Sequence, residues 1–259
     1  MRKIFVIGIG AGDPDHLTVQ AIKALNQVDV FFILDKGTEK QDLVDLRLRI
    51  IQEHVANPSY RLVEARDPAR DRAASAYASA VEDWRRRRAD ICERLIRDEL
   101  GTDDRGAFLV WGDPALYDST LAIVDDILSR GTVEFEYEVV PGISSVSALA
   151  ARHRIGLNRV GRPLQITTGR RLSERFPDDV DDVVVMLDAH CAFAQIGDQD
   201  AKIFWGAYLG TPDELLVSGR VRDVAEQIKA VRSEAQHRKG WIMDTYLLRR
   251  SPPPTPDPA

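Results

Sequence analysis

Three glycine-bearing turns, each directly after an apolar run rich in β-branched residues, constrain this chain more than any other feature. Ile4 to Ile9 leads into Gly8-Ile9-Gly10-Ala11-Gly12-Asp13-Pro14, Phe108 to Trp111 into Gly112-Asp113-Pro114, and Phe135 to Val140 into Pro141-Gly142-Ile143. Glycine at a strand end means that the backbone bends sharply or lies against something bulky. Strand, turn and helical pattern in alternation is the mark of an α/β fold, in which ligands gather at strand ends.

Two further runs, Val30 to Leu34 and Tyr60 to Val63, supply strands to the same part of the chain. Between the runs, helical spacing predicts helices over Thr18 to Asn26 with Thr18 as its cap, over Glu39 to His54, from near Asp71 past Trp84 to Leu100, and around Leu121 to Leu128. After Pro141 strands crowd together: Leu164 to Thr168, Val183 to Leu187, Lys202 to Leu209, Glu214 to Arg220 and Trp241 to Leu248, with one helix over Val224 to Gln236. The expected division is therefore residues 1–140 as an N-terminal, mainly parallel α/β domain with an arginine-rich helical insert at about 36–100, and residues 141–250 as a mixed-sheet α/β domain. Residues 251–259 hold five prolines in nine positions without an apolar anchor and are expected to form a disordered tail.

Composition narrows the function. With 44% hydrophobic and 29% charged residues the chain reads as globular. It has no window near the ~18 consecutive apolar residues of a membrane span, and Met1-Arg2-Lys3 opens no cleavage-type segment, so a cytoplasmic protein is expected. A net charge of -6 argues against a general nucleic-acid surface, which must neutralise many phosphates. Cys92 and Cys191 lack the spacing of a disulfide framework or zinc site, and no metal is expected.

The first turn invites a dinucleotide reading, since Asp35 ends the second predicted strand about where an acid would hold a ribose hydroxyl. Two residues disfavour it. Asp13 stands where a third glycine should be and would repel pyrophosphate, and Pro14 removes a backbone donor that phosphate capture needs. An NAD-dependent oxidoreductase is accordingly the weaker reading.

Taken in order, the glycine turn with Asp13-Pro14 and Leu17-Thr18, then Gly112-Asp113-Pro114 before Tyr117, then Val140-Pro141-Gly142-Ile143 with Ser144 and Ser145, resemble the tetrapyrrole (corrin and porphyrin) methylases from Ile4 to about Leu248. The resemblance implies a two-domain fold with the cofactor, S-adenosylmethionine, in the cleft between the domains, S-adenosylhomocysteine as its product, and a homodimer. It assigns cofactor contacts to Gly10, Ala11, Trp111, Gly112, Asp113, Leu116, Ser144, Ser145, Met186 and Gly210. Many relatives carry proline where this chain has Ala11. Read alone, Met186 is a gap-filling core methionine and Gly210 a turn residue before Thr211-Pro212. The chemistry agrees with the resemblance, because a sulfonium cation without phosphates wants carbonyl oxygens and apolar walls.

The insert resembles that of the branch which methylates C-1 of precorrin-5 and releases acetate to give precorrin-6A. Another precorrin or uroporphyrinogen methylase, acting on a different ring carbon, is the alternative. A substrate rich in carboxylates calls for local cations in an acidic protein, and Arg47, Arg66, Arg70, Arg72 and Arg87 are the candidates. Deacetylation also needs a base or polarising donor. Asp35 is the first choice and Tyr117 the second; Asp113 is weaker, and His153 is either a base or a structural histidine.

Overall fold

The computed structural model describes residues 1–35, 41–68, 77–177 and 179–250. The expected tail at 251–259, the insert's Arg70 and Arg72, and the start of the third helix near Asp71 lie outside the described residues. The chain forms two compact units, Met1–Ser144 and Ser145–Ala259.

The first unit contains β1 (Lys3–Gly8), α1 (Val19–Leu25), β2 (Val30–Asp35), α2 (Gln41–His54), β3 (Arg61–Arg66), α3 (Tyr77–Glu99), β4 (Arg105–Val110), α4 (Thr120–Arg130) and β5 (Glu136–Val140). All pairings are parallel, in the order β3-β2-β4-β1-β5. Period-two alternation sorts the side chains. Ile4, Val6, Phe32, Phe108 and Val110 pack with α3 and α4, while Phe5, Ile7, Phe31, Ile33, Ala107 and Leu109 pack with α1 and α2. Both faces of the sheet are thus buried, which is why its strands read as unbroken apolar runs. The order also differs from the 3-2-1-4-5 of the dinucleotide fold, because β4 stands between β1 and β2.

Local signals set the boundaries. Thr18 accepts a hydrogen bond from the Ala21 amide at 3.0 Å and caps α1, as its position predicts. Gly131 ends α4 in the left-handed conformation, at φ +64°. In the parallel core Gly106 is required by packing, since a Cβ there would lie 2.7 Å from the Phe32 ring.

The second unit holds α5 (Ser145–His153), β6 (Leu164–Thr168), α6 (Gly169–Glu174), β7 (Asp182–Met186), β8 (Lys202–Ala207), β9 (Leu215–Arg220), α7 (Val221–Lys239) and β10 (Asp244–Arg249). Its sheet runs β6-β7-β10-β8-β9, parallel between β6 and β7 and antiparallel elsewhere. The mixed sheet was expected; α5 and α6 were not, being too short for their periodicity to stand out. Buried charge organises this unit. Asp244 accepts from Trp205 Nε1 and Arg232 Nε, both at 3.0 Å, while burial pushes its carboxyl above the usual range. Asp188 accepts from the Tyr246 hydroxyl at 2.6 Å and the Ala192 amide at 2.7 Å. Arg159 pairs with Asp181 and Asp182, and Arg249 with Asp182.

No helix among the described residues is long and apolar enough to cross a membrane. Gly106→Ala is expected to destabilise the protein by roughly 1–3 kcal/mol through overpacking against Phe32, read as a lower denaturation midpoint with an unchanged denaturant slope.

Candidate functional site

The three glycine turns converge at the carboxyl ends of the adjacent strands β4, β1 and β5. The first two are stapled by backbone: the Gly112 amide donates to the Gly10 carbonyl at 2.8 Å and the Gly10 amide to the Gly112 carbonyl at 3.3 Å. The third is held by Asp113, whose Oδ2 accepts from the Gly142 amide at 2.9 Å while Oδ1 accepts from the Ala115 amide at 2.8 Å. Such close approach needs glycine. A Cβ on Gly8 would stand 2.5 Å from the Gly142 nitrogen, and one on Gly142 would fall on the Gly112 carbonyl oxygen and 2.8 Å from Gly8 Cα.

Gly112 is different. Its φ of +74° demands glycine, but a Cβ there would meet nothing nearer than Ser144 Cα at 4.0 Å. The space in front of Gly112 is therefore open, with the Gly10 and Ser144 backbones beside it. Of the expected contacts in this unit, Gly10, Gly112 and Asp113 are joined in this staple, Ala11 is buried next to Gly10, Trp111 packs partly buried behind it, and Ser144 lies nearest Gly112. Asp113 has both oxygens on backbone amides, so its side chain fastens the turns together and does not serve as a base.

The first turn runs into a single 3-10 turn, Pro14–His16, capped by Asp13 through the Asp15 amide at 2.9 Å. The helix α1 begins only at Val19, so no helix N-terminus with free amides directly follows the glycines. This is the physical reason the dinucleotide reading fails.

In the second unit Ser145 Oγ and Thr245 Oγ1 are 3.2 Å apart, and Thr245 is the β10 partner of Met186. Met186 ends β7 half-buried, followed by Leu187 at φ +54° with 62% of its surface exposed. Gly210 has φ +77° and donates its amide to Glu214 at 2.9 Å, close after Tyr208 at φ +50°. Non-glycine residues held in this region concentrate at functional sites, and here two stand beside expected contacts. His153 is structural: its Nε2 lies 3.0 Å from the Trp205 carbonyl and its ring packs edge-on against Phe204.

The arginine candidates separate. Arg66 and Arg87 are exposed, and Arg87 borders an open groove with Pro68, Ile91, Arg94 and Arg97. Arg47 is a correction. Its Nε donates to the Leu109 carbonyl at 3.0 Å and an Nη to the Leu43 carbonyl at 2.6 Å, so it serves the fold instead of reaching for carboxylates. Burial, then the nearby Arg88, pushes its guanidinium down to about 10, and it stays charged at neutral pH. The cause is a split in the sheet. β2 pairs with β4 only as far as Phe32 and Phe108, although both strands continue, and Arg47 takes the Leu109 carbonyl that the ladder abandons.

Arg88, which the sequence hid within the run Arg85 to Arg88, lies beside this split. It is buried, pairs with the buried Asp67 at 3.1 Å, donates to Ser119 Oγ at 3.3 Å and stacks on Trp84, whose Nε1 holds the Pro68 carbonyl at 2.9 Å. Only the helical phase distinguishes it: Arg88 falls on the same face as the apolar Trp84, Ile91, Cys92 and Leu95.

The family model of the Tetrapyrrole (Corrin/Porphyrin) Methylases matches residues 3–225. The chain belongs to the tetrapyrrole methylase family. The chain is 52% identical over 250 residues to a Sinorhizobium sp protein named precorrin-6A synthase [deacetylating], covering 96% of each. A crystal structure of a cobalamin synthesis related protein (CobF) from Corynebacterium diphtheriae superposes with a TM-score of 0.83 at 38% identity, covering 96% of this chain and 98% of that one. A uroporphyrin-III C-methyl transferase from Thermus thermophilus, solved with S-adenyl homocysteine, shares the tetrapyrrole methylase fold at a TM-score of 0.58 and 19% identity, covering 95% and 92%.

Two measurements check this geometry. In denaturant titrations Gly142→Ala should destabilise more than Gly112→Ala, because the first drives a carbon into fixed backbone while the second meets open space and bears only a left-handed strain of about 1–2 kcal/mol. Arg47→Met should lower stability by roughly 1–3 kcal/mol, the penalty of leaving the Leu109 carbonyl buried and unpaired.

Proposed function

We propose that the chain is an S-adenosylmethionine-dependent C-methyltransferase that methylates precorrin-5 at C-1 and releases the extruded two-carbon unit as acetate, giving precorrin-6A. The near full-length likeness to the Sinorhizobium deacetylating synthase carries this reading. The turns described above suit the cofactor. In the first unit Gly10, Gly112 and Ser144 offer backbone and small residues beside an open space, with Ala11, Trp111 and Leu116 as further expected contacts; Ser145, Met186 and Gly210 are the contacts expected from the second unit. When bound, S-adenosylmethionine supplies an electrophilic methyl group on a sulfonium.

The protein's own work is alignment and water management. Holding two reactants in line is worth up to ~7–11 kcal/mol in favourable intramolecular systems, so methyl transfer needs no nucleophilic side chain. Deacetylation needs a base for water, and we assign that role to Asp35, the last residue of β2 where β2 no longer pairs with β4. Arg66 and Arg87 are exposed and are the expected contacts for substrate carboxylates, Arg70 and Arg72 lie in the segment outside the described residues, and Arg88 braces the end of β3 against the start of α4. The same reading carries a cytoplasmic homodimer, checked by sedimentation.

Incubation with precorrin-5 and methyl-labelled S-adenosylmethionine should yield labelled C-1 methyl and one acetate per turnover; methylation without acetate would assign the chain to another branch. Calorimetry should show S-adenosylmethionine binding and none for NAD. Gly112→Val, folded by circular dichroism, should lose the cofactor altogether, since its side chain enters the open space.

A further inference from the structure

Tyr117 holds a backbone conformation that tyrosine avoids. Its φ is +52°, in the left-handed region where Cβ crowds the following carbonyl. Anchors on both sides leave it no freedom. Before it, Asp113 is fixed to the Ala115 and Gly142 amides and its carbonyl accepts from the Leu116 amide at 3.2 Å. After it, Asp118 Oδ1 accepts from the Thr120 amide at 2.6 Å, and Ser119 receives Arg88. Strain that neighbours over-determine is characteristic of a side chain being aimed.

The aimed group is a phenol with 46% of the residue exposed, on the loop that leaves β4. Partial burial moves its pKa upward, so it is a neutral donor at working pH. Asp35 ends β2, the neighbour of β4, and these two strands cease to pair after Phe32 and Phe108. The loop that carries the donor and the strand end that carries the carboxylate therefore lie at the carboxyl ends of two adjacent parallel strands.

We propose that Tyr117 is a catalytic hydrogen-bond donor for the deacetylation half of the reaction, holding the oxyanion formed when water adds to the acetyl carbonyl. This rests on the function proposed above. Water gives a proton to Asp35 and its oxygen to the carbonyl carbon, and the phenol donates to the resulting alkoxide. Collapse re-forms the carbonyl as acetic acid and breaks the bond to C-1. The electron pair stays on C-1, where methyl transfer consumes it, so no oxidant or reductant is needed. The strained loop thereby couples the two halves: the nucleophile exists only once the acetyl group has left.

The test uses the full chain with precorrin-5 and labelled S-adenosylmethionine, comparing wild type, Tyr117→Phe and Tyr117→Gly. Tyr117→Phe keeps the ring, and its cofactor affinity should match wild type while acetate release and methyl incorporation fall together by about 10²–10³-fold, the usual effect of losing one oxyanion donor. Tyr117→Gly, which tolerates the left-handed φ, should be as slow. Near wild-type turnover in either variant overturns the role of the phenol while leaving the functional reading intact. If wild type itself releases no acetate and transfers no methyl, the functional reading fails and this role with it.

Discussion

The backbone bridge between Gly10 and Gly112 is the interaction on which the rest of the site depends. It joins two turns whose strands are already hydrogen-bonded neighbours, so it continues the parallel β1–β4 ladder into the loops with a short antiparallel step. Because main chain joins the first two turns, no side chain is spent on that bridge. Asp113 extends the same staple to the third turn, and Gly8 and Gly142 permit the contact by having no Cβ. A cradle built from backbone is rigid without a charged clamp, which fits a cationic, phosphate-free ligand better than a dinucleotide.

A second organising feature is the sheet's failure to stay closed between β2 and β4. An unpaired carbonyl in that position must find a donor, and the part-buried Arg47 supplies it; a second cation, Arg88, sits beside Asp67 nearby. What looked in the sequence like a basic surface for an anionic substrate is in part the internal bracing of an opening in the sheet. Asp35 ends β2 at this opening, and the loop of Tyr117 leaves β4 beside it.

Much of the fold could be read directly. Apolar runs marked every strand, Thr18 announced α1, and the asymmetry between alternating strands and helices early and crowded strands late separated a parallel sheet from a mixed one. The short α5 and α6 escaped because two turns of helix carry too little periodicity. Arg47 and Arg88 escaped for another reason: sequence reports charge but not which face of a helix is inside, and only helical phase relative to Trp84 and Leu95 hinted at Arg88.

By itself the sequence determined that three glycine turns end three strands and that Asp13 and Pro14 disfavour a phosphate site, and the order of those turns carried the resemblance to the methylases. Those conclusions need only residue type and order, because steric freedom at glycine and its loss at proline are local properties. Tertiary structure decided which glycines exist for contact and which for space, that Asp113 fastens turns, that Arg47 belongs to the interior, and that Tyr117 is held under strain. Each of these depends on atoms from distant parts of the chain meeting within a few ångströms, and no local rule contains that information.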